Sequence, residues 1–255
     1  MKRFLLTCLL LHSPLHAQAV AAPNADESET PIQAELLPNQ EEFLNLPEEE
    51  RTEFAKHFGN ASRFFQQKRV FECLDAVSEA EAIFPRSAEL LNLRGSCYVE
   101  MRAFDKATSA FNEALKITPK NTSIRFNVGE VLFVTKQWQQ AHDVFQEVLR
   151  EIPENNTALS RLVEFKIMLC KVKLGLKDEF TILAQKYDYQ DDSPYHYYAQ
   201  ASLAYEKKEL VEAEEWLGRA NRIFQDPNII APWQDTLVEF GYIKSFYGDD
   251  SPSAD

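Results

Sequence analysis

Residues 88–121 read AELLNLRGSCYVEMRAFDKATSAFNEALKITPKN, and this stretch decides the fold of the chain. Its two apolar segments have helical spacing, and Pro119 ends the second one because proline cannot continue a helix. Pro85 and Pro153 stand at the same distance before and after Pro119. A fixed period, with matching residues between the prolines, predicts a stack of helical hairpins.

Small residues recur at two positions of the period, where they let the two helices of a hairpin approach closely. The first position holds Ala61, Gly95 and Gly129, and the second holds Cys73, Ala107 and Ala141. Large apolar residues lie between and after them and are expected to fill the space against the neighbouring hairpin. These are Val70, Phe104, Trp138, Val77, Phe111 and Phe145.

With these landmarks the sequence resembles the tetratricopeptide repeat, a two-helix motif with a period of about 34 residues. Residues 88–121 match it best, although Leu91 replaces the first tryptophan of the family pattern. The matching residues are Gly95, Tyr98, Phe104, Ala107, Phe111, Ala114 and Pro119. The resemblance implies an all-α fold, a superhelical solenoid of antiparallel helix pairs, for which we also expect a C-terminal capping helix.

The period extends over residues 47–226, which we expect to form about five hairpins, with the fourth one degenerate. Residues 227–247 carry an apolar stripe that includes Trp233, Leu237 and Phe240, and this stripe is suited to covering the open end of the stack. Residues 248–255 are predicted to form a disordered acidic tail.

The N-terminus has the pattern of a secretory signal. Lys2 and Arg3 precede a short apolar run, and Ala17 and Ala19 form a small-residue cleavage site. Residues 1–19 are therefore predicted to be a signal peptide, and the protein is expected to be exported, either periplasmic or secreted. No later segment is apolar for long enough to predict a transmembrane helix.

Acidic residues dominate the charge of the chain, which has a formal net charge of −13. Nine of them lie in residues 20–50, which contain no Lys or Arg. Residues 20–46 are predicted to be an acidic flexible leader, either a solvated linker or a tether for a basic partner. Its Leu36, Leu37 and Phe43 allow a third arrangement, in which the leader folds back into a groove of the array. Nucleic acid and anionic membranes are not expected partners, since both attract basic patches.

Three cysteines remain after the signal peptide: Cys73, Cys97 and Cys170. Two interpretations stay open for them. They are buried thiols, because Cys73 occupies a small-residue core position, or Cys73 and Cys97 form a disulfide between adjacent hairpins.

No pattern in the sequence predicts catalysis. His57, His142 and His196 fall in three different repeats, and no zinc-protease helix, phosphate loop or nucleophile elbow is present in the sequence. We expect no catalytic residue, metal site or cofactor.

The resemblance to the tetratricopeptide repeat implies a concave groove lined by the first helix of each hairpin. Carried onto this sequence, the groove positions are Phe58, Ser62, Phe65, Asn92, Ser96, Glu100, Phe126, Glu130, Phe133, Tyr198, Ser202 and Tyr205. This set is aromatic and acidic, so the expected partner is a protein or an extended peptide with apolar and basic residues. The alternative is that these aromatic rings pack against neighbouring helices.

Together these features favour an exported scaffold or adaptor that mediates protein–protein interaction. The alternative is a chaperone-like carrier of extended or secreted polypeptides, which would suppress the aggregation of unrelated clients. An accessory subunit of an envelope enzyme is the third possibility.

Overall fold

The structure is a computed structural model that describes residues 36–244. The predicted signal peptide, leader residues 20–35 and the predicted tail lie outside this range. The described residues form twelve α-helices and no strand, and antiparallel helix pairs follow one another along the chain. The predicted all-α solenoid is confirmed.

A short helix, α1 (Pro38–Leu44), precedes five hairpins. The hairpins are α2 (Glu48–Gln66) with α3 (Val70–Ile83), α4 (Ala88–Glu100) with α5 (Phe104–Ile117), α6 (Thr122–Val134) with α7 (Trp138–Glu151), α8 (Thr157–Lys173) with α9 (Lys177–Ala184), and α10 (Tyr195–Lys207) with α11 (Leu210–Ile223). The last helix is α12 (Pro227–Phe240). None of the helices in residues 36–244 has the length and apolar character needed to cross a membrane.

Side-chain caps fix where the first helices of the middle hairpins begin. Ser87, Asn121 and Asn156 each accept a hydrogen bond from the backbone N–H three residues later, at 3.1 to 3.3 Å. Such a cap satisfies one of the N–H groups that have no partner within the helix. The caps recur at intervals of 34 and 35 residues and fix the beginning of the first helix in these three hairpins.

The turn inside each hairpin contains one residue with a positive φ. These residues are Lys68, Arg102, Lys136, Gly175 and Lys208. The first three are equally spaced at the repeat period, whereas the interval from Lys136 to Gly175 is longer. The extra residues lengthen α8 to 17 residues, and its partner α9 has only 8. The fourth hairpin thus departs from the repeat in both of its helices.

Glycine allows the closest contact inside two hairpins. A Cβ atom built on Gly95 would lie 2.5 Å from a ring carbon of Phe111, and one on Gly129 would lie 2.6 Å from a ring carbon of Phe145. Both rings are fully buried. The phenylalanine of the second helix therefore occupies the space that a side chain on the first helix would need.

The structure differs from the sequence expectation at α12. This helix does not cover the open end of the stack, where Leu210, Val211 and Ile223 of α11 remain exposed. It lies instead against α6 and α8, the first helices of the third and fourth hairpins. Its aromatic residues Trp233 and Phe240 contact Phe165 and Phe133 of these helices, and such ring pairs stabilise this position.

The described part of the leader packs on the first hairpin. The ring of Phe43 lies 5.1 Å from that of Phe54 and 5.4 Å from that of Phe84, measured between ring centroids. Leu36 and Leu37 are exposed. This end of the leader thus contacts the beginning of α2 and the residue that follows α3.

Cys73 on α3 and Cys97 on α4 face each other across adjacent hairpins, with their Sγ atoms 3.1 Å apart. Both residues are fully buried. A disulfide bond is about 2.05 Å long, so the structure shows two thiols in contact and not a bond. The disulfide stays a prediction.

Substitution of the helical glycines tests the close packing of the hairpins. We expect Gly95→Ala to lower the free energy of unfolding by about 1–3 kcal/mol, because the ring of Phe111 must move. Gly59→Ala is the matched control, because its Cβ would meet no atom within 4 Å, and it should stabilise the protein by about 0.5–1 kcal/mol. Urea unfolding measures both changes. Equal stability of the two variants would contradict the packing argument.

Oxidation tests the contact between the two thiols. Two electrons and two protons pass from Cys73 and Cys97 to oxidised glutathione as their disulfide forms, and we expect stabilisation by about 3 kcal/mol for a loop of this size. Mass spectrometry after alkylation in denaturant without reductant should count two fewer alkylated thiols than in a reduced sample. Cys73→Ser should abolish this difference. Full alkylation of the oxidised wild type would show that the pair does not close.

Candidate functional site: the concave groove

The first helices of the hairpins lie side by side, since α2 contacts α4, and α4 contacts α6. We call the surface that α2, α4, α6, α8 and α10 form together the concave groove. All of the predicted site residues belong to four of these helices: α2, α4, α6 and α10. The structure separates them into residues inside the stack, residues beneath α12 and residues outside α12.

Several predicted site residues are interior to the stack. Phe126 is 1% exposed and packs against Phe145 of α7 at 5.9 Å. Ser96 and Ser202 donate hydrogen bonds to carbonyl oxygens four residues earlier in their own helices. Asn92 accepts a hydrogen bond of 2.9 Å from Asn127. Phe126 and Asn92 are thus engaged with neighbouring helices, whereas Ser96 and Ser202 bond within their own helices.

Phe65 of α2 is also buried, and the ammonium group of Lys68 lies 5.6 Å from its ring centroid. The groove pattern predicts that Phe126 and Phe133 are accessible to a partner, and in the structure neither is. Replacing both rings by alanine would therefore remove core volume from the third hairpin.

Trp233 of α12 fills an aromatic pocket between α8 and α10. Its ring centroid lies 5.2 Å from that of Phe165, 5.7 Å from that of Tyr198 and 6.3 Å from that of Tyr195. Trp233 is 3% exposed. A predicted groove residue, Tyr198, thus contacts a segment of the same chain.

Phe240, two turns after Trp233, occupies a second aromatic pocket. Its ring stacks on Phe133 at 6.1 Å and meets Trp138 edge-on at 5.5 Å. The ammonium group of Lys173 lies 4.3 Å from the centroid of the same ring. Cation–π contacts of this kind are attractive because the ring face carries partial negative charge.

Residues after α12 continue along the groove. The ring of Tyr242 stacks on Tyr205 at 4.9 Å, and its hydroxyl donates a hydrogen bond of 2.8 Å to Glu206. The segment from Trp233 to Tyr242 therefore covers the groove from α10 to α6, and Glu130, Phe133, Tyr198 and Tyr205 lie beneath it.

A buried ionic cluster lies between the two aromatic pockets. Lys166 of α8 is 1% exposed, and its Nζ atom lies 2.9 Å from Glu130 and 3.6 Å from Glu239 of α12. The ammonium group also lies 4.9 Å from the centroid of the Phe133 ring. The cluster holds two carboxylates and one ammonium, so one negative charge is left without a counter-charge within it.

The pKa values in the cluster follow from this imbalance. Burial raises the pKa of Glu239 to about 8, and the carboxylates of Glu130 and Asp235 add to the effect while Lys166 opposes it. Burial also raises the pKa of Glu130, against the attraction of Lys166. Burial alone would lower the pKa of Lys166, but the two carboxylates raise it overall. Near neutral pH the pair of carboxylates therefore holds a proton.

The groove residues that sequence reasoning missed are Phe165, Lys166 and Lys173, all on α8. The fourth hairpin reads as degenerate in the sequence, so the family pattern assigns no groove position to it. Counting back from the positive-φ residue of the turn finds Phe165, because it precedes Gly175 by the same interval that separates Phe126 from Lys136. Lys166 and Lys173 fall at positions outside the predicted set. For Phe165, the signal available in the sequence was Gly175, which marks the turn of the fourth hairpin.

Outside α12, the groove is formed by α2 and α4. Phe58 and Ser62 are half-buried, and Gln66 and Glu89 are exposed. Glu100 accepts a hydrogen bond of 2.7 Å from Lys68. This part of the groove carries the half-buried ring of Phe58 and acidic side chains, whereas Lys166 and Lys173 lie in the part beneath α12.

The cluster predicts a pH dependence of stability. The pKa of Glu239 is 4.5 in its ordinary state and about 8 when folded, so its contribution is fully present below about pH 4.5 and is lost as the pH rises through 8. The free energy of unfolding should therefore fall by up to ~1.4 kcal/mol per pH unit over this window. Urea unfolding at a series of pH values measures the slope.

Glu239→Gln should flatten this slope, since the amide is neutral at every pH. Glu215→Gln on α11 is the control, because its side chain is 62% exposed, and it should keep the wild-type slope. An unchanged slope in Glu239→Gln would show that the carboxyl group of Glu239 does not carry the proton.

Part of the sequence matches the profile of a known family. The family profile described as Tetratricopeptide repeat matches residues 98–156, which extend from α4 to the turn before α8. No curated protein matches the sequence significantly.

Solved structures show the same fold. The chain is similar to PilW, described as a widely conserved type IV pilus biogenesis factor, with a TM-score of 0.56 and 16% identity over 76% of this chain and 89% of that one. It is similar to PilF of Pseudomonas aeruginosa, with a TM-score of 0.54 and 15% identity over 76% and 94% of the two chains. It also resembles YrrB, described as a TPR protein with an unusual peptide-binding site. The TM-score is 0.50, and the identity is 20% over 74% of this chain and 95% of that one.

The profile match falls on the most regular repeats, and the structural similarity extends over about three quarters of the chain. The caps, the turn residues and the contacts between glycine and phenylalanine recur with the period of that family. Residues 98–156 therefore match the tetratricopeptide-repeat family, and the described residues have the fold of solved TPR proteins.

Proposed function

We propose that this protein is an exported scaffold that binds a protein or an extended peptide through its concave groove. The observation that carries the proposal is the part of the groove outside α12, where Gln66 and Glu89 of adjacent first helices are exposed. Ser62 and Phe58, whose ring stacks on Phe54, are half-buried there. Side by side, these helices offer an aromatic ring and polar groups at regular intervals, which suits a ligand that runs across several repeats.

The chemistry of this surface favours a partner with apolar and basic side chains. Phe58 offers an aromatic contact, and the acidic Glu89 lies on the neighbouring helix. Charge complementarity of this kind speeds association and selects the partner. Among the solved structures of the same fold, YrrB is described by a peptide-binding site and PilW as a pilus biogenesis factor, which agrees with a role in binding polypeptides.

A binding role fits the groove better than a catalytic one. The polar groups that the structure brings together there are Lys166, Glu130 and Glu239, and these are buried against one another. A reactive group needs access to a substrate, whereas Lys166 and Glu130 lie beneath α12 and Glu239 is a buried side chain of α12 itself. Export rests on the predicted signal peptide in residues 1–19 and on no contact in the structure.

Affinity capture from the native envelope tests the proposal. The double variant Phe58→Ala/Glu89→Gln should recover roughly tenfold less partner than the wild type, since an aromatic anchor and one charge contact are together worth about 1.4 kcal/mol or more. Phe71→Ala is the control, because that ring lies on a second helix and is 70% exposed. Circular dichroism should show the same helix content in all three proteins.

Unchanged capture by a folded Phe58→Ala/Glu89→Gln variant would contradict binding through this surface. Suppression of the aggregation of unrelated unfolded proteins, at stoichiometric amounts and without a defined partner, would favour the carrier over the scaffold.

A further inference from the structure

The part of the groove beneath α12 is complete without that helix. Each first helix there already has a second helix beside it, α6 with α7, α8 with α9 and α10 with α11. The first hairpin carries the short α1 instead, whose Phe43 packs on Phe54 of α2 and on Phe84. α12 therefore occupies the place of a ligand in the array and not the place of a repeat helix.

The contact between α12 and the groove also buries charged groups, namely Lys166 with Glu130 and Glu239. A fully buried lysine paired with carboxylates adds little net stability compared with apolar side chains, because both charges lose their hydration. Buried charge pairs instead discriminate between partners, since a wrong partner leaves a charge without a counter-charge. If α12 leaves, Lys166 and Glu130 remain paired at 2.9 Å and regain water.

The connection to α12 permits such a departure. Phe224, directly after α11, packs against Tyr197 at 6.1 Å, and only Gln225 and Asp226, both exposed, separate it from α12. A change of backbone angles at these two residues would swing α12 away while the five hairpins keep their contacts.

We propose that the surface beneath α12 binds a helical segment of a partner polypeptide, which displaces α12 and carries the same pattern of side chains. The pattern is two aromatic residues seven positions apart, with an acidic residue directly before the second, as in Trp233, Glu239 and Phe240. The inference rests on the proposed function and adds a second contact surface with its own partner chemistry.

Each side chain of the pattern has a pocket or a counter-charge in the groove. Residues seven positions apart lie on one face of a helix, which places the two rings in the two aromatic pockets. The acidic residue faces Lys166, and the second ring lies against Lys173. Tryptophan and other large aromatic anchors in such pockets commonly dominate the binding energy of an interface. An acidic, aromatic helix is therefore the segment that this surface selects.

A synthetic peptide of residues 227–244 serves as the probe, and full-length protein is used throughout. Trp233→Ala/Phe240→Ala weakens the attachment of α12 and leaves the pockets intact. We expect this variant to bind the fluorescently labelled peptide at least tenfold more tightly than the wild type. The same peptide with alanine in place of its two aromatic residues should not bind. A folded variant that fails to bind the unaltered peptide would overturn the proposal.

Hydrogen exchange on the wild type keeps the proposal testable if that variant fails to fold. Amides of α12 should exchange at least a hundredfold faster than those of α8, because α12 opens without the hairpins. Equal rates in the two helices would overturn the proposal. A dimer that exchanges α12 between two copies, without added peptide, would also overturn it, because the occupant would then be this chain itself.

The two proposals fail separately. Phe58 and Glu89 lie outside the surface that α12 covers, so loss of capture on changing them reports on the first proposal. Binding of the peptide in trans reports on the second, since it requires only the pockets beneath α12.

Discussion

The structure depends on the close approach of the two helices within each hairpin. In four of the five hairpins, a small residue on the first helix stands sixteen positions before a larger apolar residue on the second, and the sizes are complementary. Glycine occurs where the larger residue is phenylalanine, and alanine suffices where it is valine or leucine. The pairs are Ala61 with Val77, Gly95 with Phe111, Gly129 with Phe145 and Ala201 with Leu217. Because these hairpins are held at a short spacing, their first helices line up along the groove.

The groove then has two parts with different chemistry. α2 and α4 leave Phe58 and acidic side chains accessible, while α6, α8 and α10 hold α12 through aromatic pockets and the Lys166 cluster. The change occurs at α6, and Phe126 and Phe133 belong to the same buried cluster as Trp233 and Phe240. The fourth hairpin makes this difference, since its long α8 brings Phe165, Lys166 and Lys173 to the covered surface.

Much of the architecture could be predicted from residue spacing, because the period reflects local physics: caps, turns and the sizes of paired side chains. The spacing predicts Gly95 and Gly129 as positions of close approach, and both have a ring within 3 Å of a built Cβ. The position of α12 could not be predicted in this way. Its stripe shows that Trp233 and Phe240 need a buried surface, but the choice between the end of the stack and the groove depends on contacts distant in sequence. The same limit applies to Glu130, whose buried partners lie on α8 and α12.

The position of α12 has a consequence for the order in which the protein is made. Phe240 packs against Phe133, which lies far earlier in the chain on the third hairpin, whereas the helices of each hairpin are neighbours in sequence. Local contacts form early and contacts of long sequence separation form late. A chain that emerges from the ribosome or from a translocation channel in N-to-C order completes its five hairpins before α12 is available. The order of synthesis thus allows the aromatic pockets of α6, α8 and α10 to form before the segment that fills them is present.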